Sequence, residues 1–82
     1  MYEVIFSDNA KKEFSKLERE IQERIIKALE RIRIRPESHI TRLVGETTFK
    51  FRVGDYRLIL DIDQGILRIL VIKIGHRKNI YD

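Results

Sequence analysis

The chain has 82 residues, a net charge of +4, no cysteine and two histidines. A chain of this length predicts a single domain over residues 1–82. Without cysteine it has no disulfide or Cys-rich metal site, and two histidines alone do not complete a zinc site. No apolar segment is long enough to span a bilayer, and the N-terminus lacks the features of a signal peptide. We therefore expect a cytoplasmic protein with no membrane association, no metal and no cofactor.

The first half of the chain predicts a strand followed by two helices. Residues 2–6 are mostly β-branched or aromatic and predict a short strand, after which Ser7 is a predicted helix N-cap. Apolar residues at helical spacing predict one helix through 10–17 and a second that ends near Ile34, because Pro36 follows. The two helices share one apolar side and form an α-hairpin.

The second half predicts three strands, after a loop with at most a short extended piece at 41–44. Residues 48–53 alternate strictly, Gly54–Asp55 has the glycine-first pattern of a type II′ turn, and 56–62 form the next strand. The apolar run 66–74 predicts a strand that is buried on both faces and therefore central in the sheet. The order β-α-α-β-β-β is an α+β fold, in which a small, mainly antiparallel sheet carries the two-helix hairpin on one face.

The two-residue turn fixes the register of the hairpin and therefore the face on which each side chain lies. One face must meet the helices and carries Phe49, Phe51, Val53, Leu58 and Leu60. The other face carries Lys50, Arg52 and Arg57, with Arg52 directly opposite Arg57. Such a like-charge pair destabilises a sheet by about 0.2–1 kcal/mol. The pattern favours an anionic ligand on this face, and compensation by a carboxylate such as Asp61 is the alternative.

The segment after Ile74 is basic and carries an aromatic residue at its end. Gly75 permits a bend away from the strand, and we expect the segment to dock on the helix-free face with Arg77 and Tyr81 near the hairpin cations. Guanidinium and ammonium groups suit phosphate, and an aromatic ring suits stacking on a splayed-out base of single-stranded RNA. The pattern therefore indicates an RNA-binding face.

Short motifs run along essentially the whole chain. They are Tyr2-x-Val4-x-Phe6, Ala10-Lys11-Lys12, Leu43-x-Gly45, Lys50-x-Arg52, Gly54-Asp55-Tyr56-Arg57-Leu58 and Ile74-Gly75-His76-Arg77-Lys78-x-Ile80-Tyr81. Together they resemble the RelE/ParE superfamily of toxin–antitoxin systems, specifically its RelE branch. The resemblance implies the fold given above and a ribosome-dependent endoribonuclease that cuts mRNA in the decoding site. It also implies as partners a cognate RelB-like antitoxin, the ribosome and mRNA, and operator DNA bound only as the toxin–antitoxin complex.

The resemblance also implies a metal-independent mechanism, in which the 2′-hydroxyl of the RNA attacks the scissile phosphate. The catalytic residues that it implies are Lys50, Arg57, Arg77 and Tyr81, and the implied RNA-binding residues are Arg52, His76 and Lys78. We expect Arg77→Ala to lower cleavage by roughly 10²–10³. Some relatives carry a second lysine where this chain has Thr48, so the general base is not obvious. Histidine changes charge near neutral pH, which makes His76 one candidate.

Two other functions stay open from the sequence. The ParE branch shares the fold and acts on DNA gyrase without nuclease activity, and a nucleic-acid-binding corepressor would act only with its antitoxin. The cations on the helices are interpreted as a solvated face interleaved with glutamates, and contact with ribosomal RNA is the alternative. Cuts confined to ribosome-occupied codons would identify RelE-type function, whereas inhibited supercoiling without mRNA cuts would identify the gyrase function.

Overall fold

The structure is a computed structural model that describes residues 1–36, 41–42 and 48–76. The elements of these residues, in chain order, are β1 Glu3–Phe6, α1 Asp8–Ser15, α2 Arg19–Ile32, β2 Thr41–Arg42, β3 Thr48–Val53, β4 Tyr56–Asp63 and β5 Arg68–His76. The strands form one sheet in the order β1-β5-β4-β3-β2, in which β1 is parallel to β5 and the other pairs are antiparallel. The predicted α+β fold is confirmed, and β2 lies where a short extended piece was expected.

The hydrophobic core lies between the two helices and one face of the sheet. The helices contribute Ala10, Ile25, Leu29 and Ile32, all at most 2% exposed. The sheet contributes Phe51, Val53, Leu58, Leu60, Ile69, Val71 and Ile74. Burial of each large aliphatic or aromatic side chain contributes about 1.5–3 kcal/mol. The prediction of which hairpin face meets the helices is therefore confirmed for its central residues.

The hairpin turn has the predicted geometry. Gly54 has a φ of 58°, and Asp55 is not among the residues with positive φ. A positive φ at the first central residue only is the pattern of a type II′ turn, whose twist matches that of the flanking strands. This turn sets the register in which Val53 pairs with Tyr56, and the predicted register is confirmed along the whole hairpin.

β5 lies between β1 and β4, which confirms its predicted central position, but it is not buried on both faces, since Lys73 is exposed and Leu70 and Ile72 are half-buried. Its pairing with β4 contains a β-bulge at Ile72, since Ile59 pairs with Lys73 and Leu60 pairs with Val71. A one-residue slip moves side chains to the other face of a sheet. The bulge therefore decides which residues near the end of β5 face the helices.

Two side chains of α1 and its cap fasten the helix to the edge of β5. The Ser7 Oγ accepts a hydrogen bond from the Ala10 N–H at 3.0 Å, which confirms the predicted N-cap, and donates one to the Ile72 carbonyl at 2.8 Å. The Glu13 carboxylate accepts a hydrogen bond from the Ile74 N–H at 2.8 Å. These bonds satisfy backbone groups of β5 beyond the end of its ladder with β1. The end of β5 is thereby held against α1.

Several element boundaries differ by one or two residues from the predicted ones, including the two ends of α1, which spans Asp8–Ser15. α2 ends at Ile32 instead of near Ile34. β5 begins at Arg68, because Ile66 and Leu67 are exposed in the turn that precedes it. The Asp63 carboxylate at the end of β4 accepts hydrogen bonds from the N–H groups of Gly65 and Ile66. These bonds stabilise a turn where the apolar pattern predicted a strand. In the described part of the chain, no helix is long and apolar enough to cross a membrane.

The prediction of a bend at Gly75 is wrong, because Gly75 continues β5. Gly75 pairs with Arg57 and His76 pairs with Tyr56, so the ladder between β4 and β5 continues to the last described residue. Glycine is tolerated inside a strand where the neighbouring strand keeps its hydrogen bonds. The segment 77–82 follows and lies outside the described residues.

Candidate functional site

The cations of the β3–β4 hairpin lie at the predicted register positions. Arg52 pairs with Arg57, and Lys50 pairs with Ile59. In a sheet, the Cβ atoms of directly opposed residues are about 4.5–5.5 Å apart, and those of diagonal neighbours are about 7–8 Å apart. The Cβ atoms of the three cations therefore lie within roughly 8 Å of one another. Their side chains point to the face of the sheet turned away from the helices, because the residues that alternate with them are buried in the core. This face is called the distal face below.

Arg57 lies deeper in this face than Arg52 does. Arg57 is half-buried and its Nη1 atom is shielded from solvent, and Lys50 is half-buried as well. Arg52 is exposed, and its Nε donates a hydrogen bond to the Gly54 carbonyl at 3.3 Å. A partly desolvated guanidinium interacts more strongly with a phosphate than one in bulk water. Arg57 is therefore the more shielded of the two guanidinium groups, and Arg52 reaches toward the end of the hairpin.

The carboxylate considered as an alternative, Asp61, also lies on the distal face. It is opposite Thr48 and four residues along β4 from Arg57, which places the two Cα atoms about 13 Å apart. Asp61 is a diagonal neighbour of Lys50, within about 7–8 Å. It is thus near the lysine and remote from the Arg52–Arg57 pair.

His76 does not share the distal face with Arg57. The ladder sets His76 opposite Tyr56, and their rings meet edge to face with centroids 5.4 Å apart. Tyr56 in turn pairs with Val53, which is buried on the helix side. Because directly paired residues share a face, the imidazole lies on the helix side of the sheet. The structure therefore does not bring it beside Lys50, and its predicted role in RNA binding stays a prediction.

The remaining predicted site residues follow the end of β5. Arg77, Lys78 and Tyr81 lie outside the described residues, as does the expected docking of their segment on the distal face. β5 is described up to His76, which pairs with Tyr56 next to the hairpin turn. The roles of these three residues stay predictions.

A second basic cluster was not predicted from the sequence. A groove of about 470 Å³ between α2 and β3 is bordered by the cations Arg24, Lys27, Arg31 and Arg52. The sequence signal was the spacing of the first three, which places them on one side of a helix. What the sequence did not show is that this side of α2 faces β3. This cavity is called the α2 groove below, and these four cations are its basic residues.

The chemistry available at the distal face is the binding of negative charge. Guanidinium forms paired hydrogen bonds to phosphate oxygens, and ammonium acts as a point charge. Within residues 1–36, 41–42 and 48–76, no three His, Asp or Glu side chains are grouped so that they could hold a metal ion. The cations described on this face are Lys50, Arg52 and Arg57, and cations of this kind can stabilise negative charge on a bound phosphate.

The family of the chain follows from comparison with known proteins. Residues 4–81 match the family model described as the ParE toxin of the type II toxin–antitoxin system parDE. The chain belongs to this toxin family, within the RelE/ParE superfamily. The resemblance drawn from the sequence motifs is thereby confirmed. No curated protein sequence matches the chain.

Solved structures show that the fold is that of RelE-type toxins. A chain of the RelBE2 toxin–antitoxin complex from Mycobacterium tuberculosis matches with a TM-score of 0.85 and 28% identity, over 93% of this chain and 98% of that one. A chain of the intact Escherichia coli RelBE complex matches with a TM-score of 0.81 and 26% identity, over 93% and 96%. The archaeal RelE–RelB complex from Pyrococcus horikoshii OT3, at 21% identity and a TM-score of 0.81 over 96% and 98%, shows the shared fold alone.

Proposed function

We propose that this RelE-type toxin is a ribosome-dependent endoribonuclease that cleaves translated mRNA. The observation that carries the proposal is the distal face, where Lys50 and Arg57 come from separate strands and lie within about 8 Å of each other at their Cβ atoms. The similarity to RelE toxins supports it independently, since those structures match over more than nine-tenths of this chain.

The proposed reaction uses the RNA's own nucleophile. The 2′-oxygen attacks the neighbouring phosphorus, its proton passes to a base, the bond from phosphorus to the 5′-oxygen breaks, and that oxygen takes up a proton. The products are a 2′,3′-cyclic phosphate and a 5′-hydroxyl. Negative charge grows on the non-bridging oxygens in the transition state, and fixed cations beside them lower the barrier.

In this proposal each cation of the distal face has its own role in the reaction. Arg57, half-buried, holds the non-bridging oxygens by paired hydrogen bonds, and Lys50 adds a point charge from the next strand. Arg52, at the border of the face, grips a flanking phosphate. Arg77 contacts the transition state, and Tyr81 stacks on the base beside the cut. Lys78 adds a further RNA contact, whereas His76 on the helix side takes no part in proton transfer.

A RelB-like antitoxin is the proposed partner that neutralises the toxin. The matching structures from M. tuberculosis and E. coli are toxin–antitoxin complexes, which supports an antitoxin for this chain as well. An antitoxin segment over the distal face would exclude RNA from Lys50 and Arg57. In this proposal the free toxin acts on cytoplasmic ribosomes, and operator DNA is bound only by the toxin–antitoxin complex.

The test of the proposed function is primer extension on a reporter mRNA in a reconstituted translation system. The purified toxin should produce cuts within codons occupied by ribosomes, and the same mRNA without a start codon should stay intact. Cuts of equal intensity in the untranslated mRNA would contradict ribosome dependence. Absence of cuts in both would contradict the nuclease proposal.

A second candidate function follows from the matched family model, which describes ParE toxins. A ParE-type protein would inhibit DNA gyrase and leave mRNA uncut. Adding the toxin to a supercoiling assay with purified gyrase and relaxed plasmid separates the two functions. Supercoiling at the uninhibited rate, with cuts in translated mRNA, supports the RelE-type function. Inhibited supercoiling without cuts supports the gyrase function, and no effect in either assay leaves the corepressor.

A further inference from the structure

Two guanidinium groups from separate elements meet at the hairpin turn. A Cβ atom placed on Gly54 would lie 3.4 Å from the Nη1 of Arg24, so the Arg24 side chain reaches from α2 across to the turn. The Nε of Arg52 donates to the carbonyl of the same Gly54 at 3.3 Å. Both guanidinium groups therefore approach Gly54, and an anion bound between two like charges reduces the repulsion between them.

The α2 groove extends from this point as a row of cations. Arg24, Lys27 and Arg31 are three and four residues apart, so they lie on one side of α2. At 1.5 Å per residue the row spans about 10.5 Å along the helix axis. A row of this length suits a chain of successive negative charges better than a single small ion. The floor of the groove is apolar and includes Ile32 and Phe51, both buried.

Competition from carboxylates in the groove is weak. Arg24 forms an ion pair with Glu20 at 3.8 Å, with side chains 56% and 81% exposed. Exposed pairs of this kind contribute about 0–1 kcal/mol, so an incoming phosphate displaces the glutamate readily. Among the described residues that line the groove, none is acidic. The cations are therefore available to an external anion.

We infer that the α2 groove binds the phosphodiester backbone of single-stranded RNA as a site separate from the distal face. Arg52 connects the two surfaces, because it lines the groove and is paired with Arg57 across the hairpin. An RNA strand held in the groove is thus delivered to the face that carries Lys50 and Arg57. The choice of RNA rests on the proposed nuclease function, whereas the polyanion site rests on the groove itself. The planar guanidinium fork matches phosphate and carboxylate oxygens alike, so an acidic peptide is the competing ligand that the test must separate from RNA.

The test compares two variants that lose the same charge. Arg24→Gln/Lys27→Gln/Arg31→Gln removes three cations of the groove, and Lys11→Gln/Lys12→Gln/Lys16→Gln removes three exposed cations of α1 and its cap. Binding of a short, fluorescently labelled 2′-O-methyl RNA, which cannot be cleaved, is measured by anisotropy across a salt series. Each phosphate contact to a single strand contributes about 0.7 to the slope of log K against log salt.

We expect the groove variant to reduce the salt slope by about 2 and to weaken binding roughly 10- to 100-fold near 0.1 M salt. The α1 variant should change both much less. Equal losses in the two variants would show an effect of net charge alone and overturn the inference. A poly-glutamate peptide that binds as tightly as RNA, and loses as much in the groove variant, would overturn the assignment to RNA.

A second variant keeps the test independent of folding. Arg31→Glu changes one exposed side chain and reverses its charge, and it should weaken RNA binding more than Lys12→Glu does. Equal weakening would contradict the groove site. The ribosomal cleavage assay is separate: RNA binding lost in the groove variants, together with a wild-type toxin that cuts no translated mRNA, would leave the groove supported and the nuclease function refuted.

Discussion

Replacing Glu13 by alanine tests how strongly α1 is fastened to β5. The Glu13 carboxylate accepts the Ile74 N–H at 2.8 Å, and Ile74 is only 1% exposed. A hydrogen bond to a charged group contributes about 1.5–3 kcal/mol, and alanine regains only a few tenths of a kcal/mol in helix propensity. We expect Glu13→Ala to lower the free energy of unfolding by about 2 kcal/mol.

This loss is a large part of the stability of so small a protein. At about 0.05–0.15 kcal/mol per residue, a chain of 82 residues has a free energy of unfolding of about 4–12 kcal/mol. In a domain of this size each kcal/mol shifts the melting temperature by about 4–8 °C, so the melting temperature should fall by about 8–16 °C. Glu13→Gln keeps an oxygen acceptor and should lose less than about 1 kcal/mol.

The assay is urea unfolding followed by circular dichroism, with a thermal melt of the same samples. Lys12→Ala is the matched control, because Lys12 is an exposed neighbour on the same helix. The midpoint should shift for Glu13→Ala with an unchanged m-value, which reports the same surface exposed on unfolding. If Glu13→Ala and Lys12→Ala unfold at the same urea concentration, the bond to Ile74 does not stabilise the fold.

Three further predictions concern the elements that position the site. Ser7→Ala removes both the helix cap and the bond to Ile72, and should cost about 1–2 kcal/mol in urea unfolding, whereas Ser7→Thr should retain most of the stability. Gly54→Ala places a Cβ at a φ of 58° and should cost about 1–2 kcal/mol; unchanged stability would refute the turn assignment. Leu58→Ala, at a fully buried position, should cost about 2–5 kcal/mol, and Ile26→Ala, at a position 43% exposed, much less.

The hairpin could be predicted from the sequence because its signals are local. The turn at Gly54 and strict alternation on either side fix the register, which then places Lys50 and Arg57 on one face. The side of the hairpin that faces the helices could be predicted equally well, since the burial of Phe51 and Leu58 follows from the same alternation. These features depend on residues close together in the chain.

The side on which His76 lies depends on longer-range pairing. Its face is set by the ladder of β5 with β4 and by the bulge at Ile72, and the apolar run did not reveal that bulge. The α2 groove depends on packing of α2 against β3, which brings Arg24 within reach of Gly54. Helical spacing alone could not distinguish a basic side that borders β3 from one that faces only solvent.

The most direct test of the account is the single-turnover rate at which the toxin cleaves mRNA held in the ribosome. Arg57→Ala should lower this rate by roughly 10²–10³, the scale for loss of one preorganised charge contact. Arg19→Ala, which removes an exposed arginine of α2, is the matched control and should leave the rate unchanged. A fall of less than tenfold for Arg57→Ala, with wild-type cleavage intact, would contradict the claim that the distal face stabilises the transition state.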